Sequence, residues 1–355
     1  MTVYFVIALS LFPGVSYQEV LRWLLAGLNF FGGTPLRACV KSALGKARQR
    51  LGAGAMRAIH EALARPINDI HLTGGHWNNL LLVAIDGSTL ALQDTPENAL
   101  RFGRSSNQNG DGPWPMARFV ALAEVGTHLV FKAAFGGYHD SEVALARGVI
   151  SELKPHMLCL ADRLFPGFAL WKEAASGGCA LVWRAKTGLE LKCVRALADG
   201  SWLAHWYPSE KERRKSGIGR EPQLVRAIEY RLKGEEKGQT YRLITTLLDP
   251  ALAPAKELAA LYPERWEIEL CIKEAKTVLR KGSVTLRSKL PEMVEQEFWG
   301  MLLAHYAVRK TMALAALKHD MDPDRISHER CVEIIKITQA GAALPFPPKA
   351  TTTSY

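Results

Sequence analysis

The sequence predicts an α/β protein with a mixed central sheet flanked by helices, a β-rich insertion and an α-helical N-terminal domain. Three observations carry this. Apolar residues recur at helical spacing up to about residue 75. Short apolar runs alternate with helical patterns between residues 80 and 184. From Pro254 onward the pattern is helical again. The 355 residues suit two or three compact units. The expected boundaries are 1–75 for the helical domain, 76–318 for the α/β domain with its insertion at about 187–248, and 319–355 for a last helix and a flexible tail.

Composition narrows the class. With 48% hydrophobic and 23% charged residues, wholesale disorder is excluded. The apolar run at 3–12 has about half the length of a membrane span and lacks a basic leader, so neither a span nor a secretory signal is expected. Residues 298–317 are apolar but are interrupted by His305, Arg309 and Lys310, which reads as a packed helix. None of the six cysteines is spaced as C-x-x-C, so neither a disulfide framework nor a cysteine zinc site is indicated. A reduced, cytoplasmic protein with no membrane partner is the expectation.

Lys plus Arg number 45 against 35 Asp plus Glu, a formal charge of +10. The excess is clustered. Residues 34–57 hold Arg37, Lys41, Lys46, Arg48, Arg50 and Arg57 with no acid, and residues 271–290 hold Lys273, Lys276, Arg280, Lys281, Arg287 and Lys289 against Glu274 alone. Such clusters form the electrostatic footprint of a nucleic-acid partner, although one cluster alone is equally well a solvated helix face.

Along the chain, Ser16 is placed to cap a helix from Tyr17, and Pro35 to open another. The intervening Gly32-Gly33 permits a helix-turn-helix-like unit. Residues 80–85 read as a buried strand ending in an Asp86-Gly87 turn. Residues 119–125 and 129–135 read as a hairpin, 141–153 as a helix, and 157–161 as a buried strand that ends at Asp162. A helix at 168–175 and a strand at 179–184 follow. Short strands and turns fill 187–248, and the polar segment 209–219 reads as a mobile loop.

Asp86 and Asp162 thus each follow a short apolar strand, where a carboxylate is held rigidly at a sheet rim. The order hairpin, helix, strand, Asp is that of an RNase H-like core, in which these two strands are neighbours and their acids can share metal ions. A single aspartate after a strand is more often a turn residue. Downstream, Tyr262, Arg265, Glu269 and Lys276 are spaced i, i+3, i+7 and i+14, which places them in a narrow arc of one α-helix face. An acid flanked by Arg and Lys suits a metal ligand beside phosphate-gripping groups, and equally a salt-bridged helix surface.

The pattern Tyr262-x2-Arg265-x3-Glu269-x6-Lys276 resembles the signature of DDE transposases of the insertion-sequence-four family at every position. Residues 84–90, 94–98 with Phe102-Gly103, 160–165, 241–249 and 286–291 are also similar to that family, and the resemblance runs from about residue 3 to 317. Family members commonly carry a stretch before the segment that here begins at Val3.

The resemblance implies an RNase H-like DDE catalytic core with Asp86, Asp162 and Glu269 as the metal-holding catalytic triad. It implies two Mg²⁺ ions, for which Mn²⁺ can substitute, with Asp86 shared between them. Tyr262, Arg265 and Lys276 would hold DNA phosphates. Trp266 would stack on a displaced base, or else pack in the core. Arg37, Lys41, Lys46, Arg48, Arg50, Lys273, Arg280 and Lys281 are candidate DNA contacts. The expected substrate is double-stranded DNA, namely the terminal inverted repeats of an insertion sequence and a target. Cleavage would pass through a hairpin, strand transfer would use the 3′-OH, and a homodimer would assemble on the DNA ends of a bacterial, nucleoid-associated element. Two alternatives stay open: an RNase H-like nuclease that cuts without joining, and an inactive DNA-binding derivative that acts as an inhibitor.

Overall fold

The computed structural model describes residues 1–31, 40–107, 110–165, 167–231, 240–278 and 285–342. The chain opens with helices α1 (Thr2–Leu11), α2 (Tyr17–Phe31) and α3 (Lys41–Leu63). Ser16 caps α2, accepting from the Glu19 amide at 3.2 Å. Gly52, at φ +69°, breaks the helical path inside α3, a conformation that glycine takes without strain. The expected opening of this helix at Pro35 and the Gly32-Gly33 turn lie outside the described residues. Contrary to the expectation of helix to residue 75, α3 ends at Leu63, because Pro66 disfavours helical backbone in the residue before it. Irregular backbone follows, held where Glu124 accepts from the amides of Ile67 and Asn68 at 3.0 and 2.9 Å.

The α/β region comprises β1 (His76–Trp77), β2 (Leu80–Leu92), α4 (Pro96–Phe102), β3 (Arg104–Asn107), β4 (Gly110–Glu124), β5 (Leu129–Gly137), α5 (Glu142–Ile150), β6 (Met157–Ala161), α6 (Phe168–Ser176) and β7 (Ala180–Arg184). Strands β5, β4 and β2 are antiparallel neighbours, and β6 and β7 follow β2 in parallel. This is the RNase H-like arrangement. Next come β8 (Lys192–Ala196), β9 (Trp202–Trp206), α7 (Glu210–Ser216), β10 (Gln223–Arg231) and β11 (Thr240–Thr245). These strands do not form a separate sheet. β11 pairs antiparallel with β7, and the order β11-β10-β9-β8 prolongs the central sheet.

The Asp86-Gly87 pair is not a turn: β2 continues through it, pairing Asp86 with Ala121 and Gly87 with Val120. A Cβ on Gly87 would stand 3.0 Å from the Glu142 carboxyl carbon, so the Glu142 side chain packs close over this position. The segment at 209–219 is not simply a loop. A reciprocal Ser209–Glu212 capping box starts α7, and Glu212 also accepts from the Phe168 amide at 2.9 Å.

The chain closes with α8 (Ala255–Leu261), a 3-10 turn at Tyr262–Arg265, α9 (Trp266–Lys273), a π-helical turn at Glu274–Val278, β12 (Thr285–Leu286), α10 (Pro291–Lys318) and α11 (His328–Ala342). The proline-rich tail lies outside the described residues. Side-chain alternation divides the sheet into two apolar faces. Ile85, Cys159, Ala161 and Trp183 pack with α5 and α6. Ala84, Leu160 and Val182 share the other face with Ile268, Cys271 and Ile272 of α9 and with Phe298 and Leu302 of α10. Val6 and Met56 join this second cluster, so the N-terminal helices dock onto the same core. α1 lies against α10 so closely that a Cβ on Gly300 would stand 2.9 Å from the Val6 carbonyl oxygen. Among the described residues no helix is long and apolar enough to cross a membrane.

Arg48, expected on the basic face, is instead fully buried. Its guanidinium donates to Tyr17 Oη, Ser288 Oγ, Gln296 Oε1 and the Met293 carbonyl oxygen at 3.0–3.3 Å. It joins α2, α3 and α10 and is not available to DNA. Arg48→Ala leaves those acceptors unpaired and is expected to destabilise the fold by about 2–4 kcal/mol in urea unfolding, while Lys46→Ala shifts it by less than about 0.5 kcal/mol.

Candidate active site

Strand register brings the first two acids together. β2 and β6 run parallel with Ile85 opposite Ala161, so Asp86, the next residue of β2, stands beside Asp162, the residue that directly follows β6. Adjacent strands are about 4.8 Å apart. Both side chains alternate onto the face covered by α9, whose Ile268, Cys271 and Ile272 pack on that face. Glu269, between them in sequence, reaches the same end. Asp86, Gly87, Ser88, Glu269, Ile272, Lys273, Lys276 and Thr277 line one cavity of about 350 Å³. The Asp86 carboxyl is pushed up to about 6, chiefly by burial and further by the charges of Asp162 and Glu269. The Gly87 amide donates to Asp86 at 2.8 Å, and the Leu164 amide to Asp162 at 2.7 Å.

Residues 262–276 do not form one uniform α-helix, as the spacing suggested. They pass from a 3-10 turn through α9 into the π-helical turn. Arg265 is nearly buried and pairs with Glu269 at 2.8 Å, with its guanidinium 5.3 Å from the Trp266 ring centroid. It also attracts the Asp86 charge. Lys276 donates to Ser88 Oγ at 2.9 Å, and its partial burial lowers its pKa. Tyr262 departs from its expected role. It is 7% exposed and its hydroxyl donates to the Ala161 carbonyl oxygen at 3.2 Å. It therefore braces the residue before Asp162 and does not face a phosphate. Trp266 is 59% exposed, which removes the core reading for it. Lys41, Lys46, Arg50 and Lys273 are exposed, while Arg37, Arg280 and Lys281 lie outside the described residues.

The Transposase DDE domain family matches residues 77–307. This chain belongs to the DDE transposase family. The Insertion element 4 transposase N-terminal family matches residues 1–61 of the transposase. The chain is 32% identical over 320 residues to Transposase InsG for insertion sequence element IS4 of Escherichia coli (strain K12), covering 83% of this chain and 69% of that protein. The InsZ sequence of the same strain is 28% identical over 157 residues, 44% of this chain and 52% of that protein. A piggyBac transposase synaptic complex with hairpin DNA aligns at 10% identity and TM-score 0.43, over 96% of this chain and 71% of that one. The transposase is accordingly an enzyme that acts on DNA, by cleavage and strand transfer.

The family implies divalent metal, and the site fits one. Its three acids supply only oxygen donors, the choice of hard cations. Burial, and after it the charges of Asp162 and Glu269, raise the Asp86 pKa, and a bound cation would offset both. Sequence reasoning missed Ser88, because a serine inside a strand carries no periodic signal; only the fold shows that it meets Lys276.

The raised Asp86 pKa has a signed consequence. Without metal, between about pH 4 and 6 the unfolded chain has lost this proton while the folded protein keeps it. This contribution to stability is therefore complete below about pH 4 and is lost as pH rises through about 6, by up to about 3 kcal/mol. Denaturant midpoints in EDTA are expected to fall more steeply with pH in the unmutated transposase than in Asp86→Asn; equal slopes refute the shift.

Proposed function

We propose that this transposase binds the ends of an insertion sequence, cuts them through a hairpin with two Mg²⁺ ions and joins the 3′-OH ends to target DNA. Convergence of Asp86, Asp162 and Glu269 at one end of the sheet face, beside a cavity lined by Lys273 and Lys276, is the observation that carries this reading. Divalent cations bound there would lower the pKa of an attacking water and neutralise charge on the departing oxygen. Mn²⁺ can serve in the same oxygen set.

The chain's own residues divide the remaining work. Asp86, Asp162 and Glu269 hold the cations. Arg265 orients Glu269 through their 2.8 Å pair. Lys276, held by Ser88, and exposed Lys273 grip the phosphate next to the scissile bond. Tyr262 sets the backbone that presents Asp162. Exposed Trp266 offers a face for a base displaced in a tight hairpin. Lys41, Lys46 and Arg50 on the N-terminal helices, within the proposed DNA-binding domain of residues 1–75, contact the DNA backbone. Two ends must be joined, so a homodimer assembles on DNA.

Incubated with Mg²⁺ and a labelled fragment ending in the element's inverted repeats, the protein is expected to yield nicks, hairpins and joined products on denaturing gels. Glu269→Gln is expected to lower all three by about 1000-fold or more, the order of a lost catalytic electrostatic contact. Cleavage without joining would instead identify a nuclease. Binding without cleavage, equal in both proteins, would identify an inactive derivative. In binding titrations against salt, Lys276→Ala is expected to reduce the log–log slope by about 1.

A further inference from the structure

Behind α9, turned away from the cavity, lies a second cluster that the DNA chemistry does not use. Glu267 is two residues before Glu269, about 200° round the helix. It accepts from His128 Nε2 at 2.7 Å. Arg309 of α10 binds both oxygens of Glu274, with Nε at 2.8 Å, and also contacts His128. His305 Nε2 lies 3.2 Å from Glu274 Oε2, and the His328 ring stands 5.4 Å from the His305 ring, centroid to centroid.

Three features of this cluster are unexplained by packing. His305 is 0% and His328 5% exposed, yet among the described residues His305 Nδ1 and both ring nitrogens of His328 have no hydrogen-bond partner. Buried polar atoms without partners are rare and each is costly. Secondly, one ligand atom each from Glu274, His305 and His328 lies within 4.8 Å of the other two. Thirdly, the carboxylates of Glu267, Glu274 and Asp324 stand 2.7, 3.7 and 3.7 Å from His128 ring nitrogens, and Arg309 pairs with Glu274 among them. The cluster is therefore formally −2, or −1 when His128 is protonated.

We propose that Glu274, His305 and His328 bind one zinc-type transition-metal ion, which ties the π-helical turn behind Glu269 to α10 and α11. Two imidazoles and a carboxylate form a zinc donor set, with water completing the tetrahedron, whereas the all-oxygen triad selects Mg²⁺. Zn–N bonds of about 2.0–2.1 Å place ligand atoms about 3.3 Å apart, so the three groups close in by small side-chain rotations. Burial lowers both histidine pKa values, that of His328 to about 3, and keeps the rings in the neutral form that ligates. Hydrogen bonds from His128, His305 and Arg309 outweigh burial and hold Glu274 far below the usual carboxylate range. A carboxylate has about four lone-pair sites, so Arg309 can keep its grip while Glu274 ligates, acting as the outer partner that orients it. The cysteine spacing that argued against zinc does not bear on a His/Glu set.

The test uses full-length protein stripped with EDTA and titrated with Zn²⁺ alone or Co²⁺ alone, in excess Mg²⁺. The expected result is one equivalent of Zn²⁺ retained, a visible cobalt band and a raised Tm. Asp86→Asn/Glu269→Gln should retain all three. His328→Gln and His305→Gln should lose the band and weaken Zn²⁺ binding by more than the roughly 10–100-fold that loss of a mere outer partner costs. No retained Zn²⁺, or equal binding by His328→Gln, overturns the proposal. Zinc X-ray absorption on the unmodified protein decides the matter should a variant fail to fold: two imidazole ligands are expected, and fewer overturn it.

Discussion

The partial burial of neighbouring carboxylates, brought together from positions 86, 162 and 269, is the constraint to which the surrounding structure answers. Parallel pairing of β2 with β6 places two of them side by side, and α9 adds the third over the same face. Nearby groups compensate: Arg265 pairs with Glu269, and backbone amides donate to Asp86 and Asp162. The compensation is incomplete, since Asp86 remains well above an ordinary carboxylate. A site left partly unneutralised in this way has room for divalent cations, whereas a fully paired one would resist them.

The segment that carries Glu269 is helical throughout but not of one kind. It changes from a 3-10 turn to an α-helix to a π-helical turn within residues 262–278. π-helical turns often sit at functional sites, because the extra residue re-aims side chains that a regular helix would send elsewhere. Here the turn lets Lys276 reach Ser88 while Glu274 points back into the cluster formed with His128, His305 and Arg309. The conformation is thus held from both sides: by the sheet through Ile268 and Ile272, and by α10 through Arg309.

Helix α10 connects this site to the N-terminal helices. Its Gly300 admits α1 at close range, its Gln296 bonds Arg48 of α3, and its Arg309 grips Glu274. The basic face of α3 therefore stands in a fixed relation to the carboxylates. Positions 46, 48 and 50 show how that face is divided, with Lys46 and Arg50 exposed while Arg48 is drawn inward to satisfy acceptors on α2, α10 and the loop at Ser288.

Most strands and helices of the core, the two aspartates at strand ends and the Tyr-Arg-Glu-Lys spacing were legible in the sequence, because hydrophobic periodicity and residue type are local properties; that the acids form a triad came from the family resemblance. Local properties do not reveal partners. An aspartate followed by glycine looks like a turn until a neighbouring strand and the Glu142 side chain account for it. A polar segment looks mobile until a capping box and the Phe168 amide anchor it. Charge alone could not separate Arg48 from Lys46, or phenol chemistry place Tyr262 on a carbonyl oxygen rather than a phosphate. Those assignments, and the histidines gathered behind α9, depend on contacts between residues as far apart as 248 positions, which only the tertiary structure decides.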